Sequence, residues 1–136
     1  MTQFTSQIYF YLEAFRRGDA DDAFHGLLEM DRDFPLELME AYRSERHLEV
    51  REFLLQVIRE YRDRSVVPLL QEALRDPQPR IWRQALDGLV ALACPTALDA
   101  LRASRARVFT DQREAEDFRR WLEEAIEQME SRAAGA

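Results

Sequence analysis

The stretch DPQPRIWRQALDGLVALACPTALDAL, residues 76–101, decides the fold, because its apolar positions repeat those of the segment before it. Stepping back 31 residues from six apolar positions in this stretch reaches another apolar position each time. The matching pairs are Val50 and Ile81, Leu54 and Ala85, Ile58 and Leu89, Tyr61 and Leu92, Val67 and Leu98, and Leu70 and Leu101. A fixed period of about 20 to 50 residues is typical of stacked supersecondary units. The sequence therefore predicts a repeat architecture.

Apolar residues within each repeat follow helical spacing, and no segment alternates as a strand does. Gly18, Pro35 and the Asp76–Pro79 segment interrupt this pattern at the expected helix ends. We predict one all-α domain over residues 1–136 that consists of about four helix pairs. The predicted pairs span residues 4–34, 35–65, 66–96 and 97–131.

The last predicted pair differs from the others in its connection and in its second helix. Residues 103–111 form the longest link of the chain. Asp111 and Glu114 have the spacing of a capping box at the start of a long terminal helix. We expect this helix to act as a C-terminal cap, with Trp121 in its buried stripe.

Residues 76–101 resemble the bacterial HEAT-like repeat, including the repeats of phycocyanobilin lyases, whose pattern is Asp-Pro-x-Pro-x-Val-Arg followed by Ala and Leu. The best match spans residues 45–101. Two positions depart from the pattern, because Trp82 stands where the family has Arg and Cys94 where it has Asp. The resemblance implies an alpha-alpha superhelix, a HEAT-like solenoid. It implies no particular activity, since fold does not determine function.

The charge composition favours a protein partner over nucleic acid. The chain has a formal net charge of -7, and all 19 of its cationic residues are Arg. An acidic surface repels phosphate and attracts basic protein surfaces. The absence of Lys also excludes Schiff-base catalysis. A HEAT-like nucleic-acid enzyme is therefore only a remote alternative.

Neither the start of the chain nor its cysteine content indicates export. No basic segment precedes the first apolar residues, and no apolar run approaches the roughly 20 residues of a membrane span. The single cysteine, Cys94, cannot form an internal disulfide. We expect a cytoplasmic protein.

The sequence contains no recognisable catalytic or metal-binding pattern. His25 and His47 are the only histidines, and neither has the spacing of a metal-ligand pair. Cys94 has no histidine nearby in the sequence to activate it. We therefore predict a protein that is not an enzyme and has no cofactor or metal ion.

We predict that the partner binds along the solvent-facing side of the second helix of each pair. The candidate residues are Asp21, Asp22, His25, Glu29, Glu49, Glu52, Gln56, Glu60, Arg80, Trp82, Arg83 and Asp87. Two alternatives stay open for them. Any single acidic residue can simply be solvated, as on an amphipathic helix, and Trp82 can have a packing role.

The link at residues 103–111 is the alternative contact surface. Its basic residues lie beside Phe109 and include Arg105 and Arg107, with Arg102 just before them. Such a patch can hold an anionic group, but a flexible, solvated loop explains the same sequence.

These observations together predict a non-enzymatic protein-binding module that is a monomer when free. Its most specific form is an immunity or antitoxin protein of bacterial type, which binds and blocks a basic toxin or effector enzyme. The alternative is a scaffold or assembly factor of HEAT-like type.

Overall fold

The structure is a computed structural model that describes residues 3–29 and 36–135, and every regular element in these two ranges is helical. The α-helices are α1 (Gln3–Arg16), α2 (Ala20–Leu28), α3 (Leu36–Ser44), α4 (Leu48–Glu60), α5 (Val67–Ala73), α6 (Pro79–Leu92), α7 (Pro95–Ala103) and α8 (Gln112–Gly135). Short 3-10 turns at Arg64–Val66 and Ser104–Ala106 precede α5 and follow α7. The predicted all-α class is confirmed.

The chain divides into two compact units, Met1–Tyr61 and Arg62–Ala136. In the first unit α1 packs on α2 and α3 on α4, while α1 lies beside α3 and α2 beside α4. The second unit repeats this arrangement with α5 to α8. Within each unit, first helices therefore neighbour first helices and second helices neighbour second helices. The single domain expected from the sequence stays a prediction. The boundary between the first two predicted helix pairs, at residues 34 and 35, lies outside the described residues.

The apolar positions that recur every 31 residues form the cores of these units. Val50, Leu54 and Ile58 of α4 are buried, as are their counterparts Ile81, Ala85 and Leu89 of α6. Full burial of one such large aliphatic side chain contributes roughly 1.5–3 kcal/mol. In α2, Ala23 and Leu27 are buried as the same spacing predicts, whereas Met30 lies outside the described residues.

Two of the predicted helix ends differ in how they are capped. Asp111 Oδ1 accepts backbone N–H bonds from Arg113 at 2.8 Å and Glu114 at 3.1 Å, so Asp111 caps α8. The reciprocal half of the predicted capping box, a bond from the Asp111 N–H to the Glu114 carboxylate, is absent from the described residues. Asp19 precedes α2, but its side chain makes no capping bond. The Asp19 carboxylate lies 3.9 Å from Arg17 Nε instead.

The link between α7 and α8 is held by Arg107. Its guanidinium donates hydrogen bonds to the carbonyl oxygens of Leu74 and Asp76 and lies 4.2 Å from the ring centre of Phe109 and 4.9 Å from that of Phe118. Partial burial lowers the pKa of Arg107 from its usual range. These contacts contradict the alternative of a flexible, solvated loop.

Helices α1 and α2 approach each other closely at Gly26. A Cβ atom added to Gly26 would overlap Cε1 of the Tyr11 ring. We expect Gly26→Ala to lower the free energy of unfolding by about 1–2 kcal/mol, because overpacking outweighs the gain in helix propensity. Urea unfolding measures this change. In a Tyr11→Ala background the same substitution should become stabilising, and a loss of similar size in both backgrounds would contradict the close approach.

Replacing the side chain of Arg107 tests the anchored link. We expect Arg107→Ala to lower the free energy of unfolding by about 2–3 kcal/mol, since two backbone carbonyls lose a charged donor. Arg113→Ala is the matched control, because Arg113 is exposed at the start of α8. Equal unfolding free energies for the two variants would show that the link is not held by Arg107.

Candidate functional site

The second helices of the first unit expose a group of acidic side chains. Helices α2 and α4 are neighbours, and the residues of their buried stripes point into the core. Solvent-exposed carboxylates occupy their other sides. We call this group the acidic face, and it consists of Asp21, Asp22, Glu29, Glu49 and Glu60.

The acidic face keeps its negative charge available to a partner. Within the described part of the chain, none of its five carboxylates is in an ion pair. Asp21 and Asp22 lie in the first turn of α2, and Glu49 lies in the first turn of α4. The positive end of each helix dipole stabilises carboxylates at these positions, so they need no cationic side chain.

Three further residues predicted for this surface are less suited to it. His25 is exposed, and its ring packs edge-on against Phe24 with 5.8 Å between ring centres. Glu52 and Gln56 of α4 are half-buried, and Glu52 takes part in interactions within the chain. The accessible charge of α4 is therefore concentrated at the two ends of the helix.

The residues predicted on α6 divide into exposed and structural ones. Arg80 and Asp87 are exposed, whereas Trp82 is only 3% exposed. Trp82 packs edge-on against Phe118 of α8 with 5.1 Å between ring centres. The assignment of Trp82 to the partner-binding surface is corrected here, because the side chain is part of the α6–α8 core.

Arg83 is held by groups that the sequence did not indicate. Its guanidinium lies 4.8 Å from the ring centre of Trp121, and its Nη2 lies 3.1 Å from Asp117 Oδ2. Trp121 is 37% exposed, so its prediction as a buried residue is wrong. Helical periodicity places Trp121 at the edge of the apolar stripe, but only the packing of α8 on α6 brings it to Arg83.

The basic residues of the 103–111 link do not form an anion site together. Arg102 pairs with Glu130 at 3.2 Å, and Arg105 makes bonds of 2.9 and 2.7 Å to the two carboxylate oxygens of Glu123. The hydrogen bond between Arg105 and Glu123 raises the pKa of the former and lowers that of the latter. Arg102 and Arg105 are therefore neutralised by glutamates, and the Arg107 guanidinium is bonded to backbone carbonyls. The three arginines do not form the exposed basic patch that the sequence predicted.

The described residues contain no other grouping that suggests chemistry. No three His, Cys, Asp or Glu side chains in the described ranges come together as a metal site. Cys94 is a half-buried free thiol at the start of α7. None of the helices described has the length and hydrophobicity that a membrane span requires.

Comparison with known proteins agrees with this architecture. A family model described as HEAT repeats matches residues 35–127. No curated protein and no solved structure matches the chain. HEAT repeats generally mediate protein–protein interactions, and proteins built from them are generally scaffolds without enzymatic activity. Because the matched range covers more than half of the chain, this protein belongs to the HEAT-repeat family.

Proposed function

We propose that this protein is a non-enzymatic binding module whose acidic face receives a basic surface of another protein. The observation that carries the proposal is the set of exposed carboxylates on α2 and α4, none of which is in an ion pair within the described residues. Acidic residues on one amphipathic helix are ordinary. Two neighbouring helices that expose them together, with no ion pair to these carboxylates in the described residues, concentrate negative charge on one surface.

The electrostatics of this surface favour rapid and oriented association. Charges at an interface mainly increase the association rate and exclude partners of the same sign. The net charge of -7 adds a long-range attraction for a basic protein. We expect an interface of standard size, roughly 1,600 Å² in total.

The most specific form of the proposal is an immunity or antitoxin protein. An enzyme that acts on a polyanionic substrate carries a cationic cleft, and an acidic protein surface can occupy that cleft in place of the substrate. In this role the chain acts in the cytoplasm as a monomer and blocks a basic toxin or effector enzyme. Inhibition of the partner's activity distinguishes this role from that of a scaffold, which leaves the activity intact.

Charge reversal on the acidic face tests the proposal. The triple variant Glu29→Arg, Glu49→Arg and Glu60→Arg should slow association with the partner by about tenfold or more at low salt, with a smaller effect at high salt. Glu29 and Glu60 lie at helix C-terminal ends, where a cation is favourable, and Glu52 is left unchanged because of its internal contacts.

The partner is obtained by capture on the immobilised wild-type chain and is then purified for stopped-flow measurements and for an assay of its own activity. The control variant carries Asp99→Arg, Glu124→Arg and Glu127→Arg, which change the net charge equally on exposed positions of α7 and α8. Equal association rates for the two triple variants would refute the proposal that the partner binds at the acidic face. A partner that remains fully active when saturated with wild-type chain would refute the immunity role.

A further inference from the structure

A second surface, in the Arg62–Ala136 unit, is basic and apolar where the acidic face is negatively charged. A groove of about 430 Å³ lies between the C-terminal end of α5 and the link that follows α7. Its volume is within the range of about 300–1,000 Å³ that is common for binding sites. None of the residues that line it is acidic, and none belongs to α2, α4 or α6. The groove is therefore independent of the acidic face and of the function proposed for it.

Val108 stands at this groove as an exposed apolar side chain on a fixed backbone. It is 89% exposed, the highest exposure among the large apolar residues that the structure describes. The residue before it, Arg107, is bonded to the carbonyls of Leu74 and Asp76. The residue after it, Phe109, packs against Phe118 with 5.3 Å between ring centres. Anchors on both sides hold Val108 outward, so a partner that covers it has little loop disorder to overcome.

Arg75 supplies the accessible positive charge of the groove. It is exposed and forms no ion pair with any residue in the described ranges. The second guanidinium, that of Arg107, is half-buried, and Asp76 and Glu114 lie close enough to offset part of its charge. Gln71 and Ser104 add polar groups to the lining. The Ser104 hydroxyl donates to the carbonyl of Ala100 at 3.1 Å, so its oxygen can still accept a bond.

We propose that this groove binds an acidic segment of a protein in which a carboxylate stands next to an apolar side chain. The carboxylate pairs with Arg75, whose planar guanidinium can make two parallel hydrogen bonds to it. The apolar side chain covers Val108 and the methyl groups of Ala103 and Ala106. The Gln71 amide is placed to bond the backbone of the bound segment.

The exposed valine favours a peptide over a nucleic acid as the occupant. A phosphate backbone would satisfy Arg75 but would leave Val108 uncovered. The net charge of -7 also opposes a long polyanion more strongly than a short acidic segment.

Fluorescence anisotropy with three labelled pools of random decapeptides tests this inference. One pool contains Asp, Glu, Leu and Val, the second replaces the acids by Asn and Gln, and the third replaces them by Lys and Arg. The wild-type chain should bind the acidic pool and not the amide pool. Any binding of the basic pool should be weakened by the triple variant of the acidic face and not by Arg75→Glu. Titration of the ¹⁵N-labelled chain with the acidic pool should shift the backbone amide signals of Ser104 and Val108.

Two single variants assign the binding to the groove. Arg75→Glu should weaken binding of the acidic pool by about tenfold or more, and Val108→Ser by at least about threefold. Arg113→Glu is the matched control, because it makes the same charge change at an exposed position outside the groove. Circular dichroism of all three variants should match that of the wild type.

Several results would overturn the inference. These are no binding of the acidic pool, equal binding of the amide pool, or equal weakening by Arg75→Glu and Arg113→Glu. Displacement of the bound peptides by a dT10 oligonucleotide at equal concentration would assign the groove to a phosphate backbone instead. The triple variant of the acidic face should bind the peptides no more weakly than the wild type does, so failure of either surface can be recognised separately.

Discussion

The burial of each helix pair's apolar stripe against a neighbouring pair is the constraint on which the rest of the structure depends. A single pair leaves one side of its stripe exposed, so the sequence must repeat to cover it. Leu54 and Ala85 show the result, since they stand 31 residues apart and both are fully buried. The described residues include no buried charged side chain. Charge is therefore confined to surfaces and helix ends, where it is available for binding.

Much of the fold could be predicted because apolar residues at helical spacing lie on one side of a helix, and that side is the one that becomes buried. The position of Gly18, with φ at +96°, and the cap at Asp111 also follow from local chemistry. A packing role for Trp82 was one of two alternatives that the sequence left open, whereas the exposure of Trp121 could not be predicted in this way. A stripe shows which side of a helix is buried but not which neighbouring helix covers its edges. The same helical spacing places Ala23 and Leu27 of α2 on the buried side and Asp21 and Asp22 on the exposed side, so both groups could be predicted.

The two units use their charged residues differently. In the second unit, arginines contribute to the fold: Arg83 stacks on Trp121, Arg105 pairs with Glu123, and Arg107 caps the end of α5. The planar guanidinium suits these positions, because it can bond a carbonyl or carboxylate and stack on an aromatic ring at once. The carboxylates of the acidic face have no comparable role within the described residues. A charged side chain without a partner inside the protein is available to bind another molecule. Arg75 is such a side chain within the described residues, whereas Arg107 is bonded to backbone carbonyls.

The surface potential of the free chain tests this account most directly, because it requires no knowledge of the partner. Amide proton relaxation is measured in the presence of a cationic and an anionic nitroxide of similar size. We expect the cationic probe to relax amides of α2 and of both ends of α4 more strongly than the anionic probe does. Near Arg75 and Val108 we expect the anionic probe to have the stronger effect. Equal effects of the two probes along α2 and α4 would show that the acidic face is neutralised in solution, which would contradict the account.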